Sequence, residues 1–164
     1  GLLRFDDPFK WSEYVKPVPL FDSIEAEANK KPSINTFLEQ TELELTDQTP
    51  CVVASWKPSA HSMEKYEVAF VPEQSCKESY CAYSQDACRS FPHRPYHMCF
   101  KSLSFRDMCP EDRGAALFCY HFNERVIGIL TTAVNCGFKN LPCVYTSAEI
   151  VQKLLNKAVA FAGG

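Results

Sequence analysis

The chain has 164 residues, 46% of them hydrophobic and 13% aromatic, which is enough to build one domain core and argues against a disordered segment. Its net charge of −3 and pI near 5.8 argue against nucleic acid as the main partner, because phosphate binding requires a basic face. No apolar stretch reaches the length of a membrane span. The chain opens on Gly1 without a Met, so we expect that an upstream segment was removed or omitted.

Runs of β-branched and aromatic residues predict several short strands. These predicted strands are residues 51–56, 66–71, 115–122 and 125–132. The single convincing helix follows Thr146, which forms a capping box with Glu149 and precedes an apolar face. That face consists of Ile150, Val151, Leu154, Leu155, Ala158 and Val159. Short strands followed by one terminal helix predict an all-β fold, either an antiparallel barrel or a sandwich.

Two segments have the composition of surface insertions. Residues 21–50 carry seven acidic residues against two lysines, and residues 41–46 alternate like a half-buried strand. Residues 80–97 are rich in Tyr, Cys and His, and Pro92 and Pro95 predict an ordered loop there rather than a helix.

Nine cysteines without a Cys-x-x-Cys pair favour disulfides over a metal site and indicate an oxidising compartment. An odd count leaves one thiol outside the intrachain bridges. The sequence alone does not fix which cysteines are joined.

The eleven residues 109–119, Cys-Pro-Glu-Asp-Arg-Gly-Ala-Ala-Leu-Phe-Cys, resemble an active-site loop of known type. The loop that they resemble is Cys-x-Gly-Asp-Ser-Gly-Gly-Pro-Leu-x-Cys of chymotrypsin-like serine proteases. Residues 51–56 are similar to the family's Cys-x-Val-x-Gly-Trp, residues 128–130 to its Gly-Ile-Val strand, and residues 142–146 to its Pro-Gly-Val-Tyr-Thr. In this order, the segments make the chain resemble the C-terminal half of the chymotrypsin/trypsin family from end to end.

The resemblance implies the second six-stranded antiparallel β-barrel of a two-barrel domain, closed by a C-terminal helix. The N-terminal barrel would then be missing from this chain or belong to a separate one. The implied divisions are an interbarrel strand and linker at 1–20, an acidic insertion at 21–50, the second barrel at 51–146 and the helix at 147–162.

The same resemblance implies three disulfides: Cys51–Cys119, Cys76–Cys99 and Cys109–Cys136. Cys81 and Cys88 lie together in the second insertion and would close a small loop of their own. On this pairing Cys143 is the cysteine outside the bridges.

Within the loop, the resemblance implies that catalysis has been lost. Arg113 stands where the family has its nucleophilic serine, and a guanidinium offers only donors. Glu111 replaces the glycine whose N–H helps to form the oxyanion hole. Asp112 matches a carboxylate that pairs with the amino terminus made by activation cleavage. Its partner here would be such a terminus or Arg113 itself, and the family's His and Asp would lie upstream.

The specificity pocket of the family would be present as a relict. Its residues are Asp107, Met108, Thr132, Ala133 and Cys143. Asp107 stands where trypsin-like members bind an Arg or Lys side chain, whereas Met108 and Cys143 occupy space that a substrate needs. A relict basic-side-chain pocket is one interpretation, and a pocket filled from within is the preferred one.

His93 and His97 have a His-x3-His spacing that invites a zinc hypothesis. The flanking prolines place them in a loop rather than on a helix, so we predict no metal and no cofactor. Together with Arg89 and Arg94, the segment would otherwise form a basic recognition patch, although a solvated loop is the simpler expectation.

These observations favour a secreted or cell-surface protease homologue that acts by binding extracellular or membrane-associated proteins, as a scaffold or cofactor. Contacts are expected on loops around the old cleft and on residues 21–50. An alternative is an active endopeptidase that uses Cys143 or Ser104 as an unusual nucleophile. A further alternative is a structural accessory subunit of a larger extracellular complex.

Overall fold

The computed structural model describes most of the chain. The described residues are 3–22, 28, 30, 33–36, 51–56, 62–92, 94–103, 108–122, 125–134 and 141–162. The predicted strand at 41–46 lies outside this set.

Six antiparallel strands close into a barrel in the spatial order β1-β2-β3-β6-β5-β4. They are β1 (Cys51–Trp56), β2 (Met63–Val71), β3 (His97–Ser102), β4 (Ala116–Cys119), β5 (Val126–Thr132) and β6 (Cys143–Ser147). The predicted strand at 115–122 is shorter than expected, because Tyr120–Phe122 form a 3-10 turn. The closed barrel confirms the predicted all-β fold class.

The barrel interior is filled by side chains from every strand, which makes it a packed core. Its largest fully buried members include Val53, Val68, Phe100, Leu117, Leu130 and Tyr145. Gly128 on β5 lets the wall close tightly, since a Cβ there would lie 2.8 Å from Met98 Cε and 3.3 Å from Tyr145 Cβ. Burial of this apolar surface is the main stabilising term of the fold.

The expectation of a loop throughout 80–97 is wrong for its first half. Two helices lie against the outside of the barrel, α1 (Glu73–Tyr83) and α2 (Gln85–Arg89). Ser84 separates them: its N–H donates to the Tyr80 carbonyl and its hydroxyl accepts from the Ala87 N–H at 3.0 Å. The prolines that argued against a helix lie beyond α2, where the chain is indeed extended or turned.

Two disulfides fasten these helices. Cys76–Cys99 joins α1 to β3, and Cys81–Cys88 joins α1 to α2. A second apolar cluster forms beneath α1 around Cys76, Tyr80 and Val144. A third bridge, Cys51–Cys119, connects directly opposed residues of β1 and β4. These three pairs match three of the four expected disulfides, and the fourth, Cys109–Cys136, involves a residue outside the described set.

The terminal helix α3 spans Ala148–Ala162, as the periodicity predicts, but its cap differs. Thr146 belongs to β6, and the capping bond comes from Ser147, whose hydroxyl accepts from the Glu149 N–H at 3.3 Å. Leu154 and Val159, which were predicted on the apolar face, are exposed. No helix among the described residues is long and apolar enough to cross a membrane.

The described part of the 21–50 segment contributes two side chains to the core, whereas its composition predicts a surface insertion. Phe21 packs edge-to-face on Phe122 with ring centroids 4.9 Å apart. Ile34 is also buried in the main cluster. The insertion is therefore anchored on the barrel at both of these apolar side chains.

Candidate functional site

The loop from Cys109 to Ala115 lies where β1 ends and β4 begins, and its backbone is tied on both sides. A 3-10 turn at Pro110–Asp112 brings the Asp112 N–H within 2.9 Å of the Cys109 carbonyl. Where the loop runs into β4, the Gly114 N–H donates to the Leu130 carbonyl at 2.8 Å. The Leu130 N–H in turn donates to the Ala115 carbonyl at 2.9 Å. Gly114 has a φ of 98°, a conformation that disfavours side chains with a Cβ.

The Asp112 carboxylate is the hub of this loop. One oxygen accepts a 2.7 Å bond from the Cys109 N–H, which closes the turn. The other accepts from the hydroxyl of Ser55, at the end of β1. Ser55 is only 7% exposed and stands where the family motif has a glycine. Ser55 was not among the predicted site residues, and its departure from the motif is the one sequence signal that points to it.

Arg113 and Glu111 project from the loop into solvent. In the described part of the chain, Asp112 is held by Ser55 and Cys109 rather than by Arg113, which had been suggested as its partner. The Arg113 N–H donates to the Pro110 carbonyl at 3.4 Å, so it points back into its own turn.

The residues expected around the specificity pocket are largely packed together. Met108 and Ala133 are each 2% exposed and Cys143 is a thiol 9% exposed, all in the same cluster as the fully buried Tyr145. Thr132 is partly buried. Asp107 and Ser104 lie outside the described residues, as does Cys136, whose expected partner Cys109 is disulfide-bonded.

Tyr145 carries a buried hydroxyl with no hydrogen-bond partner among the described residues. Burial raises the pKa of Tyr145 well above its ordinary value, and the nearby Cys143 and Asp112 raise it further. A neutral, dry phenol at this point is a packing element and supplies no proton at physiological pH.

A cavity of about 470 Å³ lies between the 91–97 segment and the start of α3. His97 lines it, and its Nδ1 donates to the Pro92 carbonyl at 2.8 Å. Glu73, Glu149, Arg94 and Lys153 also line it, so its charges are mixed. His93 lies outside the described residues, and no group of three metal-ligating side chains occurs among those described. The zinc hypothesis therefore gains no support.

An apolar surface covers the opposite flank of the barrel. A groove of about 900 Å³ is lined by Val18, Val52, Ala54, Phe118 and Tyr120, together with Pro19, Lys65 and Cys119. The preceding segment exposes a short aromatic ladder, in which Phe5 meets Phe9 at 5.1 Å and Phe9 stacks on Trp11 at 5.7 Å between ring centroids. Trp11 is 60% exposed.

A closed six-stranded antiparallel barrel followed by a C-terminal helix, with the 109–119 loop at one end, is the chymotrypsin-like fold. The trypsin family model matches residues 1–155. The chain therefore belongs to the trypsin family.

Three relatives show how much of the family domain is present. Human testisin is 27% identical over 171 residues, which cover 94% of this chain and 47% of testisin. Neuropsin, a serine protease expressed in the limbic system of mouse brain, superposes with a TM-score of 0.62 at 19% identity and covers 95% of this chain and 59% of neuropsin. Kallikrein-related peptidase 10 superposes with a TM-score of 0.57 at 20% identity, and the match covers 94% of this chain and 62% of that peptidase. The chain thus spans less than two thirds of each of these relatives.

Proposed function

We propose that this protein is a non-catalytic serine protease homologue that acts by binding other proteins outside the cell. The observation that carries this proposal is Arg113 at the position of the family's nucleophilic serine. A guanidinium stays protonated at physiological pH and offers only donors, so it cannot attack a carbonyl carbon. The covalent mechanism starts with that attack and is closed at its first step.

The backbone of the loop supports the same conclusion. In the Ser-His-Asp mechanism, the oxyanion is held by the N–H of the nucleophile and the N–H of the residue two positions earlier. Here the Arg113 N–H is directed at the Pro110 carbonyl, and the second position is Glu111, whose carboxylate has the wrong charge for such a site. Removing one such donor typically costs about 2.7–4 kcal/mol of transition-state stabilisation.

The rival nucleophile Cys143 is poorly placed for proteolysis. It is 9% exposed and packed within the main core cluster, so it presents little surface to an extended substrate backbone. The observations therefore favour binding over an unusual active endopeptidase.

We infer that the N-terminal half of the family domain covers the apolar flank of this chain. Monomeric proteins rarely expose large apolar surfaces, and apolar side chains are exposed both in the Phe5–Trp11 ladder and in the groove lined by Val18 and Phe118. The matched region covers only 47% of testisin and 59% of neuropsin. The rest of the family domain is therefore the segment that we expect to cover this flank. Replacing Phe9 and Trp11 by Ser is expected to reduce recovery of that half when the two are expressed together.

The disulfides support an extracellular or luminal location, because such bridges persist in oxidising compartments. Loops on a rigid scaffold are the usual place for partner contacts. The seven acidic residues of 21–50 suit this segment to a partner with a basic face, and its described residues Phe21 and Ile34 are buried in the core.

The test of lost catalysis uses the full protein, treated with a fluorophosphonate probe that labels activated serines, beside an active trypsin-family protease. We expect no labelling and no peptide hydrolysis. Arg113→Ser alone should stay inactive, since the backbone N–H at position 113 is directed at the Pro110 carbonyl instead of an oxyanion. Any labelling of the wild-type protein would contradict the proposal.

The test of binding compares cross-linked extracellular partners of the wild type with those of a variant whose seven acidic residues in 21–50 become the corresponding amides. This change keeps Phe21 and Ile34 in the core. Loss of a cross-linked partner is expected. Unchanged recovery would remove the acidic segment from the proposed binding surface.

A further inference from the structure

The loop that carries Arg113 is held from inside this chain by a side chain outside the loop. Asp112 uses both carboxylate oxygens, one on the Cys109 N–H and one on the Ser55 hydroxyl. The first bond is local, within one turn. The second spans 57 positions of sequence and joins the loop to the end of β1.

The Ser55 hydroxyl is suited to this role because it is buried and directed at a charged acceptor. Ser55 is 7% exposed, and a buried hydroxyl is costly unless it is bonded. A hydrogen bond to a charged group is stronger than a neutral one. Neither donor carries a positive charge, and both belong to this chain.

We propose that Ser55 is a positioning residue that anchors Asp112 and thereby fixes the 109–115 loop in one conformation. The loop is otherwise tied at its ends, by the disulfide at Cys109 and by the Gly114 bond to Leu130. The stretch between these ties contains the exposed Arg113, whose conformation depends on the Asp112 anchor. The loop therefore reaches its final shape without an amino group liberated elsewhere by cleavage.

Arg113 itself is the reporter for the test, because trypsin cleaves after an exposed arginine once the local backbone opens. The full protein is digested briefly, and the rate of cleavage after Arg113 is measured by mass spectrometry after reduction. Cleavage after Lys77, on the exposed side of α1, is followed in the same digest as a reference.

Ser55→Ala is expected to raise cleavage after Arg113 about tenfold relative to Lys77, since losing a bond to a charged acceptor raises the open population by at least that factor. Ser55→Thr, which keeps the hydroxyl, should restore most of the protection. Ser79→Ala is the matched control, because the Ser79 hydroxyl bonds only the Ser75 carbonyl within α1. This control should cleave at the wild-type rate.

A double-mutant cycle separates anchoring from simple packing at Ser55. If Ser55 acts through Asp112, the Ser55→Ala change should add nothing to an Asp112→Ala variant. If the two substitutions instead raised the rate of cleavage after Arg113 independently, so that their fold-changes multiplied in the double variant, that result would overturn the proposal. So would an unchanged rate in Ser55→Ala, or an equal rise at Lys77, which would report global unfolding. The assay does not measure catalysis, so its outcome is independent of the proposed function.

Discussion

The Tyr80 hydroxyl donates a buried 2.9 Å hydrogen bond to the Pro142 carbonyl oxygen. The two residues are 62 positions apart, and the bond ties α1 to the chain just before β6. The Tyr80 ring also meets Phe91 edge-to-face, with centroids 5.0 Å apart. Tyr80 therefore links α1 to the chain segment that leads into β6.

Tyr80→Phe is expected to lower the free energy of unfolding by about 1–2 kcal/mol, because the ring still packs while a buried carbonyl loses its donor. Denaturant unfolding measures the change. Tyr120→Phe is the matched control, since Tyr120 is exposed and should behave as wild type. Equal stability of Tyr80→Phe and wild type would show that the carbonyl finds another donor.

Tyr145→Phe should change the free energy of unfolding in the opposite direction from Tyr80→Phe. Its hydroxyl is buried without a hydrogen-bond partner in the described part of the chain, so removing it relieves a desolvation cost. We expect unchanged stability or a gain of up to about 1 kcal/mol. A loss of that size instead would mean that the hydroxyl is bonded in solution.

The same two tyrosines predict sensitivity to alkaline pH. Burial, and secondarily Cys143, raises the pKa of both Tyr80 and Tyr145 above the ordinary value. Below the unfolded pKa both states hold the proton. Above it the unfolded chain releases protons that the folded protein keeps, so stability falls by up to about 1.4 kcal/mol per pH unit for each tyrosine above about pH 10.

Unfolding midpoints on either side of this pH test the effect. The Tyr80→Phe/Tyr145→Phe double variant should lose most of the alkaline decline, whereas Tyr120→Phe should retain it. An identical decline in all three proteins would assign it to other groups.

The disulfides should differ in their contribution to stability. Cys51–Cys119 spans 68 positions and Cys81–Cys88 spans 7. Loop-closure entropy predicts that replacing the first pair by Ala costs about 4 kcal/mol and replacing the second about 2.5 kcal/mol. Thermal unfolding of both double variants gives the order. A larger loss from the short bridge would contradict this entropic ranking.

The sequence was most informative where local pattern and tertiary role agree. Residues 51–56 and 125–132 read as strands because β-branched runs suit a buried barrel wall, and both form strands close to those bounds. Helix α1 was obscured because only Cys76 and Tyr80 on it are buried, which gives no apolar stripe. It is attached through a disulfide, one hydrogen bond and the packing of Tyr80, and these few contacts leave no helical periodicity in the sequence.

In the candidate site, too, the residues in a local motif could be predicted and those that act through a distant contact could not. The motif around Cys109 identified Glu111, Asp112 and Arg113, since these residues are contiguous. Ser55 was not found because its role depends on a contact across the barrel. Similarly, Phe21 and Ile34 carry no local sign that they leave an acidic segment to enter the core.

The position of β6 between β3 and β5 has a consequence for biosynthesis. Five strands emerge from the ribosome before the one that seals the cylinder, and until residue 147 is available β3 and β5 present open edges to other nascent chains. Premature termination shortly before this strand would therefore yield an aggregation-prone sheet rather than a smaller folded domain.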